Sequence, residues 1–314
     1  MRNLKELKIG VLGGGTSTER EISLISSGQV YKALSDEGLN VDFVDIFTKK
    51  KKRIKELILS AKINLAFIAL HGEFGEDGQI QKILQELDLD YTGSGPKASA
   101  LAMNKLASKN LFKVKGVSTP VFSILSKEES IPSNLQYPLV VKPYSSGSSI
   151  GVSIVESENT LKSALDLAFC HSDGAILEDY IEGRELTVGI LEDKPLAIVE
   201  IVPKKGYFDF EAKYSNGASE FITPAQVNNQ IEREVKAIAL SAHNVLGCQH
   251  FSRVDIRLNK EGFPFVLEVN SIPGLTSHSL FPLSAKTAGI EFNQLIIKMV
   301  ELTLPRYKLG AVTG

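Results

Sequence analysis

Arg253, Asp255, Glu268 and Asn270 fall within or beside two apolar runs, Phe251 to Leu258 and Phe263 to Val269, which are separated by Asn259-Lys260-Glu261-Gly262. Two such runs around a short polar turn predict a β-hairpin. Side chains two apart on a strand share a face, so Arg253 points with Asp255 and Glu268 with Asn270. If the strands pair, one face presents two carboxylates, an amide oxygen and a guanidinium. Hard oxygen donors of this kind suit Mg²⁺, which usually also binds substrate phosphates. A surface hairpin carrying solvated charges is the alternative.

Two further segments could hold anions. Lys142 ends a predicted strand, Pro138 to Pro143, directly before the loop Ser145-Ser146-Gly147-Ser148-Ser149. Small residues let backbone N–H groups approach phosphate oxygens, and a lysine adds a point charge. An ordinary turn would look the same. Ser277-His278-Ser279-Leu280 precedes an apolar helical segment. A serine at a helix start, with free N–H groups beside it, suits a carboxylate, although a purely structural cap would too. Rival nucleotide motifs fail. The chain has no Gly-Lys dipeptide and hence no Walker A loop, and the Gly13–Thr18 run lacks a glycine at its sixth place.

These residues need elements to position them. Ile9 to Leu12, Val41 to Phe47 and Leu65 to Leu70 predict strands of an open parallel α/β sheet, alternating with helices. The first helix is expected to open on a capping box at Thr18-Glu19-Arg20-Glu21 and to run to about Gly38. The polar loop His71 to Gly78 follows the third strand, at the carboxyl ends where such sheets bind ligands. One helix is expected to carry both Asn104 and Lys105. A small α+β unit follows, with short strands over 120–155, a helix near 157–170 and a strand near 175–180. Strands near 185–191 and 196–203 come next, then a long polar stretch, 204–222, of the kind that is usually functional or mobile. Ile231, Val235, Ile238, Ala239, Ala242 and Val245 mark one face of a helix before the hairpin, and two helices close the chain.

The 314 residues, 43% hydrophobic and 23% charged, are an ordinary globular balance, long enough for two or three compact domains. A net charge of −2 argues against a polyanion-binding surface, hence against nucleic acid as a partner. Cys170 and Cys248 form no CxxC pair and read as free thiols. No apolar run approaches the length of a membrane span, and no signal core opens the chain, so the expected location is the cytoplasm, away from the membrane.

The segments LGGGTSTEREIS, ALHGEFGEDG, YTGSGPKASALAMNK, LVVKPYSSGSSIGVS, EGRELTVGIL, FDFEAKY and LEVNSIPGLTSHSLFP together resemble the D-alanine–D-alanine ligases of the ATP-grasp superfamily. They occur in the family's order from about residue 9 to residue 300. The resemblance implies an N-terminal α/β domain, about 1–100, followed by a two-domain ATP-grasp fold divided as 101–184 and 185–314. It implies ATP as cosubstrate, with Lys105, Lys142 and Lys213 on its phosphates, Glu178 and Ile181 beside the adenine and Glu185 on the ribose. It implies two Mg²⁺ ions, replaceable by Mn²⁺, on Asp255, Glu268 and Asn270. The first D-alanine's ammonium would meet Glu19, held in a trio with Ser148 and Tyr214, with His71 nearby. Arg253 and the Gly274 N–H would stabilise the reacting carboxylate. Ser279 and Leu280 would receive the second substrate's carboxylate.

The chemistry implied is phosphorylation of one D-alanine carboxylate, then attack by the amine of a second. The stretch 204–222, with Tyr207, Phe208 and Phe210, would act as a lid that keeps water from the acylphosphate. The family also suggests a homodimer. Two other readings stay open: a ligase that joins D-alanine to D-lactate, and a nucleotide-binding regulator that has lost catalysis.

Overall fold

The computed structural model describes residues 4–144, 150–204 and 218–304. The described residues form a mixed assembly of helices around one parallel and two antiparallel sheets, consistent with an ATP-grasp fold preceded by an open α/β sheet. In the first sheet, β1 (Lys8–Gly14), β2 (Asn40–Ile46), β3 (Leu65–Ile68) and β4 (Asp90–Tyr91) run parallel in the order β2-β1-β3-β4. Both faces are covered, which is why β1 and β3 are apolar at nearly every position. Ile9, Val11, Leu65 and Phe67 face α1 (Arg20–Asp36) and the C-terminal helix, through Val30, Leu34, Leu295 and Met299. Their neighbours Leu12, Ala66 and Ile68 enter a second core with α2 (Lys51–Ala61) and α3 (Gln79–Glu86). This is the period-two alternation of a strand buried on both sides.

The second sheet is antiparallel and ordered β5-β8-β6-β7, from β5 (Phe122–Ser126), β6 (Leu139–Pro143), β7 (Ser153–Val155) and β8 (Gly174–Asp179). The helix α6 (Glu158–Phe169) covers one face with Leu161, Ala164, Leu165 and Ala168. The third sheet is also antiparallel, ordered β11-β10-β9-β12-β13. Its strands are β9 (Gly183–Leu191), β10 (Lys194–Pro203), β11 (Ser219–Ile222), β12 (Phe251–Asn259) and β13 (Pro264–Asn270).

The third sheet separates core from chemistry. Leu186, Val188 and Ile190 of β9, with Val254, Ile256 and Leu258 of β12, pack on α7 (Asn229–Val245). They also pack on Ala98, Ala102 and Phe112 of the two helices before β5. Alternate residues Glu185, Thr187, Arg253, Asp255 and Arg257 therefore share the opposite face. Two helices, α8 (Leu280–Thr287) and α9 (Phe292–Glu301), end the described chain, and α9 packs on the first sheet.

Three local expectations change. The helix expected through Asn104 and Lys105 is two helices, α4 (Pro96–Met103) and α5 (Lys105–Lys115). Asn104 sits between them in an extended conformation, and its side chain accepts from the Ala107 N–H at 2.9 Å. A short amide side chain that bonds its own backbone competes with helix continuation. The break turns the Lys105 N–H onto the Tyr144 carbonyl at 2.9 Å. At α1, Glu19 takes the N-cap position but makes no capping hydrogen bond, so the expected box does not form; its carboxylate lines a cavity instead. Within the polar stretch, residues 219–222 are an edge strand on β10, while 205–217 lie outside the described residues.

His243 on α7 is fully buried, with Nδ1 2.7 Å from Ser252 Oγ and Nε2 3.6 Å from Asp193 Oδ1. Burial lowers its pKa to about 4, against the pull of Asp193 and with a small push from His250. The unfolded chain takes up this proton near the ordinary histidine value and the folded chain only near 4. Between those values the unfolded state binds more protons, so stability is full above the unfolded value and is lost as pH falls. At ~1.4 kcal/mol per unit, acidification should cost about 3 kcal/mol through this group. Urea unfolding at pH 7 and pH 4.5 checks this: His243→Gln should flatten the loss, and equal slopes in both proteins would remove His243 from the account.

Candidate active site

The hairpin forms as its spacing predicts. β12 and β13 are antiparallel neighbours, with Arg253 opposite Asn270 and Asp255 opposite Glu268. The Asp255 carboxylate is nearly buried and fully engaged. Its Oδ1 accepts from Arg253 Nε at 2.9 Å and from Thr187 Oγ at 2.6 Å. Its Oδ2 accepts from a terminal Arg253 nitrogen at 2.8 Å and from the Asn270 amide at 3.1 Å. Glu268 pairs with Lys105 at 2.8 Å. The buried carboxylate is tolerable because charge and hydrogen bonds surround it.

Two cavities meet at that Lys105–Glu268 pair, since both residues line both. The larger, about 350 Å³, is walled by Glu19, His71 and Glu76 from the first sheet's loops and by Arg253, Asn270, Gly274, Ser279 and Leu280 from the C-terminal part. The smaller, about 120 Å³, lies between the two antiparallel sheets and is lined by Lys142, Glu178, Ile181, Glu185, Asp255 and Arg257, among others. Residues from all three sheets thus converge on one junction. Lys105 reaches it because the break at Asn104 makes it the first residue of α5.

In the larger cavity, Glu19 is nearly buried. Gly72, with φ +73°, allows this: a Cβ there would lie 2.5 Å from Glu19 Oε2 and in a conformation that side chains rarely adopt. His71 Nε2 lies 2.9 Å from Ser26 Oγ, and Nδ1 lies 3.3 Å from Glu76 Oε1. Burial raises the Glu76 pKa, His71 pulls it back and the Glu19 carboxylate raises it again. At the far wall, Ser279 caps α8 by position but not by side chain. Its Oγ instead accepts from the Thr276 N–H at 3.1 Å and sits 2.8 Å from Thr276 Oγ. The helix start is thereby left open toward the cavity, a geometry suited to a carboxylate. Gly274 packs against the same serine; a Cβ would come within 2.9 Å of Ser279 Oγ.

In the smaller cavity, Glu178 pairs with Lys142 at 2.6 Å and with Lys109 at 2.8 Å. Burial opposes its ionisation, but the two lysines outweigh burial and hold its pKa below the usual value. Arg257 organises the opposite side. It donates to the carbonyls of Ile181 and Gly183 at 3.1 Å each, reaches Glu185 at 3.3 Å and lies over the Tyr180 ring.

The structure therefore brings together Glu19, His71, Lys105, Lys142, Glu178, Ile181, Glu185, Arg253, Asp255, Glu268, Asn270, Gly274, Ser279 and Leu280 around two adjoining cavities. Ser148, Lys213 and Tyr214 lie outside the described residues. Sequence reasoning missed Thr187, Arg257, Glu76 and Lys109. Arg257 carried a signal, being two residues beyond Asp255 on the same strand face. Thr187 is visible only from strand pairing, which sets it opposite Asp255. For Mg²⁺, the donors present fit: Asp255, Glu268 and Asn270 offer hard oxygens on adjacent strand positions. Among the described residues no cluster of three His, Cys, Asp or Glu side chains gathers, and a divalent ion on these two carboxylates and one amide would need phosphate and water oxygens to complete its coordination.

Residues 112–301 match the family model described as D-ala D-ala ligase C-terminus, and residues 47–94 match the one described as D-ala D-ala ligase N-terminus. The chain belongs to the D-alanine–D-alanine ligase family. It is an enzyme of the class that forms a carbon–nitrogen bond. The D-alanine–D-alanine ligase of Pelotomaculum thermopropionicum is 44% identical over 95% of this chain and 97% of its own. That of Geobacter sulfurreducens is 42% identical over 95% and 94%. Among solved structures, the Bacillus anthracis ligase complexed with ATP superposes with a TM-score of 0.83 at 32% identity, covering 97% of this chain and 100% of that one. The VanG D-Ala:D-Ser ligase of Enterococcus faecalis gives 0.82 at 30% identity, covering 95% and 99%. No helix among the described residues is long and apolar enough to cross a membrane.

Proposed function

We propose that the enzyme joins two molecules of D-alanine at the expense of ATP, through a D-alanyl phosphate, for the cell-wall precursor D-alanyl-D-alanine. The observation that carries the reading is the meeting of two cavities at Lys105 and Glu268, with Arg253, Asp255 and Asn270 at the junction. The smaller takes the nucleotide, with adenine beside Glu178 and Ile181, ribose hydroxyls on Glu185 and phosphates toward Lys142 and Lys105. Lys213 would join them on the phosphates. The larger takes both amino acids.

The first D-alanine places its ammonium at Glu19, aided by Ser148 and Tyr214, and its carboxylate beside Arg253 and the Gly274 N–H. The second places its carboxylate at the start of α8, on Ser279 and Leu280. A carboxylate is a poor electrophile and repels an incoming amine. Attack of one carboxylate oxygen on the γ-phosphorus, with ADP leaving, converts it to an acylphosphate. The second amine then attacks the carbonyl carbon; phosphate leaves with that oxygen and the amine gives up its proton. The neutral amine must be generated inside the site, where His71 and Glu76 stand together. Lysines and Arg253 neutralise charge, and the walls hold reactants in line. Asp255, Glu268 and Asn270 would hold two Mg²⁺ ions, or Mn²⁺, which supply charge neutralisation at the phosphates.

The three sheets suit a division near residues 100 and 184, with the nucleotide between the second and third. A homodimer working in the cytoplasm completes the reading, and mass measurement in solution tests the dimer. Incubation with ATP, Mg²⁺ and D-alanine, alone or with D-lactate or D-serine, followed by mass identification of products, tests the reaction. D-alanyl-D-alanine should dominate. A dominant mixed product would move the second site to another acceptor, and no product would defeat the reading.

A further inference from the structure

Lys109 is fully buried, yet it does not line either cavity. It lies one turn beyond Lys105 on α5, on the same helix face. Its Nζ donates to Thr119 Oγ at 2.6 Å, and Thr119 in turn donates to the Val266 carbonyl of β13 at 2.8 Å. The ammonium also lies 5.0 Å from the Phe122 ring centroid. It also forms an ion pair with Glu178 Oε2 at 2.8 Å. The other oxygen, Oε1, accepts from Lys142 at 2.6 Å.

One carboxylate thus stands between two lysines, and only Lys142 and Glu178 open onto the nucleotide cavity. Burying an ammonium is costly. Desolvation lowers the Lys109 pKa to about 8, with Glu178 resisting and Lys142 adding to the fall. The ammonium is tolerated through its partners, and an apolar side chain in its place would strip one of two cations from the buried Glu178 carboxylate.

We propose that Lys109 is a positioning residue for nucleotide binding, which neutralises Glu178 from the side away from the cavity and so leaves the Lys142 ammonium available to phosphate. This rests on the reading of the smaller cavity as the nucleotide site. With Lys109 present, the trio carries a net positive charge. Without it, Lys142 and Glu178 form a closed neutral pair, and a triphosphate must break that pair to bind.

The charge logic gives a test that a merely structural role would not pass. Binding of the non-hydrolysable analogue AMP-PNP with Mg²⁺ is measured by calorimetry for wild type, Lys109→Met, Glu178→Gln and the double variant. Lys109→Met should weaken AMP-PNP by roughly tenfold or more, while the KM for D-alanine stays unchanged. Glu178→Gln alters the adenine side on its own account, so the double variant is read against it: without the carboxylate, Lys109→Met should change affinity by less than about twofold. Wild-type affinity in Lys109→Met, or the same loss of roughly tenfold in the Glu178→Gln background, overturns the proposal. Should Lys109→Met fail to fold by circular dichroism, the comparison of Glu178→Gln with the double variant decides: equal affinities support the role and a weaker double variant overturns it. If wild type itself binds no AMP-PNP, the nucleotide-site reading fails, and this one with it.

Discussion

Arg253→Ala should retain its fold and lose turnover by at least ~10³-fold. One preorganised donor at a developing oxyanion is typically worth ~10²–10³ in rate. On the proposed reading Arg253 does more than that, because it also holds both oxygens of Asp255 at 2.9 and 2.8 Å. Its loss would remove the cation paired with Asp255 and add repulsion beside the proposed site of the reacting carboxylate. The fold survives because Asp255 keeps Thr187 and Asn270, and because the strand pairing of β12 with β9 and β13 does not depend on this side chain. Steady-state assays with a melting curve check both halves. Activity near wild type would remove Arg253 from the reacting centre, and an unfolded variant would make it structural.

Glu268→Gln should be nearly as severe, with a different signature. Glu268 stands opposite Asp255 and faces Lys105 at 2.8 Å. Charge stabilisation by a bound divalent ion is worth several kcal/mol at a phosphoryl transition state, or ~10²–10⁴ in rate. Removing one carboxylate from the donor set should raise the Mg²⁺ concentration needed for half-maximal rate and lower the plateau. It should also weaken the gain in ADP affinity that Mg²⁺ brings over EDTA. A lower rate with unchanged Mg²⁺ dependence would assign Glu268 to Lys105 alone.

Most of the framework is legible in the sequence, for a physical reason. Period-two and apolar-run patterns report burial, and the strands that carry the site are buried on at least one face. Val188, Val254 and Ile256 face the core, so Thr187, Arg253 and Asp255 must face away from it. The segments that resemble the ligase family added roles that spacing alone left open between a metal site and a solvated hairpin. What stayed hidden depends on long-range register and burial. Thr187 meets Asp255 only because β9 lies beside β12. Lys109 looks like any surface lysine of a helix until the fold sets it beside Glu178 of β8 and, through Thr119, the Val266 carbonyl of β13. The single helix expected through Asn104 failed because one side-chain hydrogen bond to Ala107 outweighs an otherwise helical pattern.

The acylphosphate route is the central claim, and the fate of one oxygen tests it most directly. D-alanine labelled with ¹⁸O in its carboxylate is incubated with ATP and Mg²⁺, and the released phosphate is analysed by mass. Attack of the carboxylate on the γ-phosphorus, followed by loss of phosphate to the second amine, carries one ¹⁸O into each phosphate released. Label found in AMP, or phosphate free of ¹⁸O while dipeptide accumulates, would contradict the mechanism.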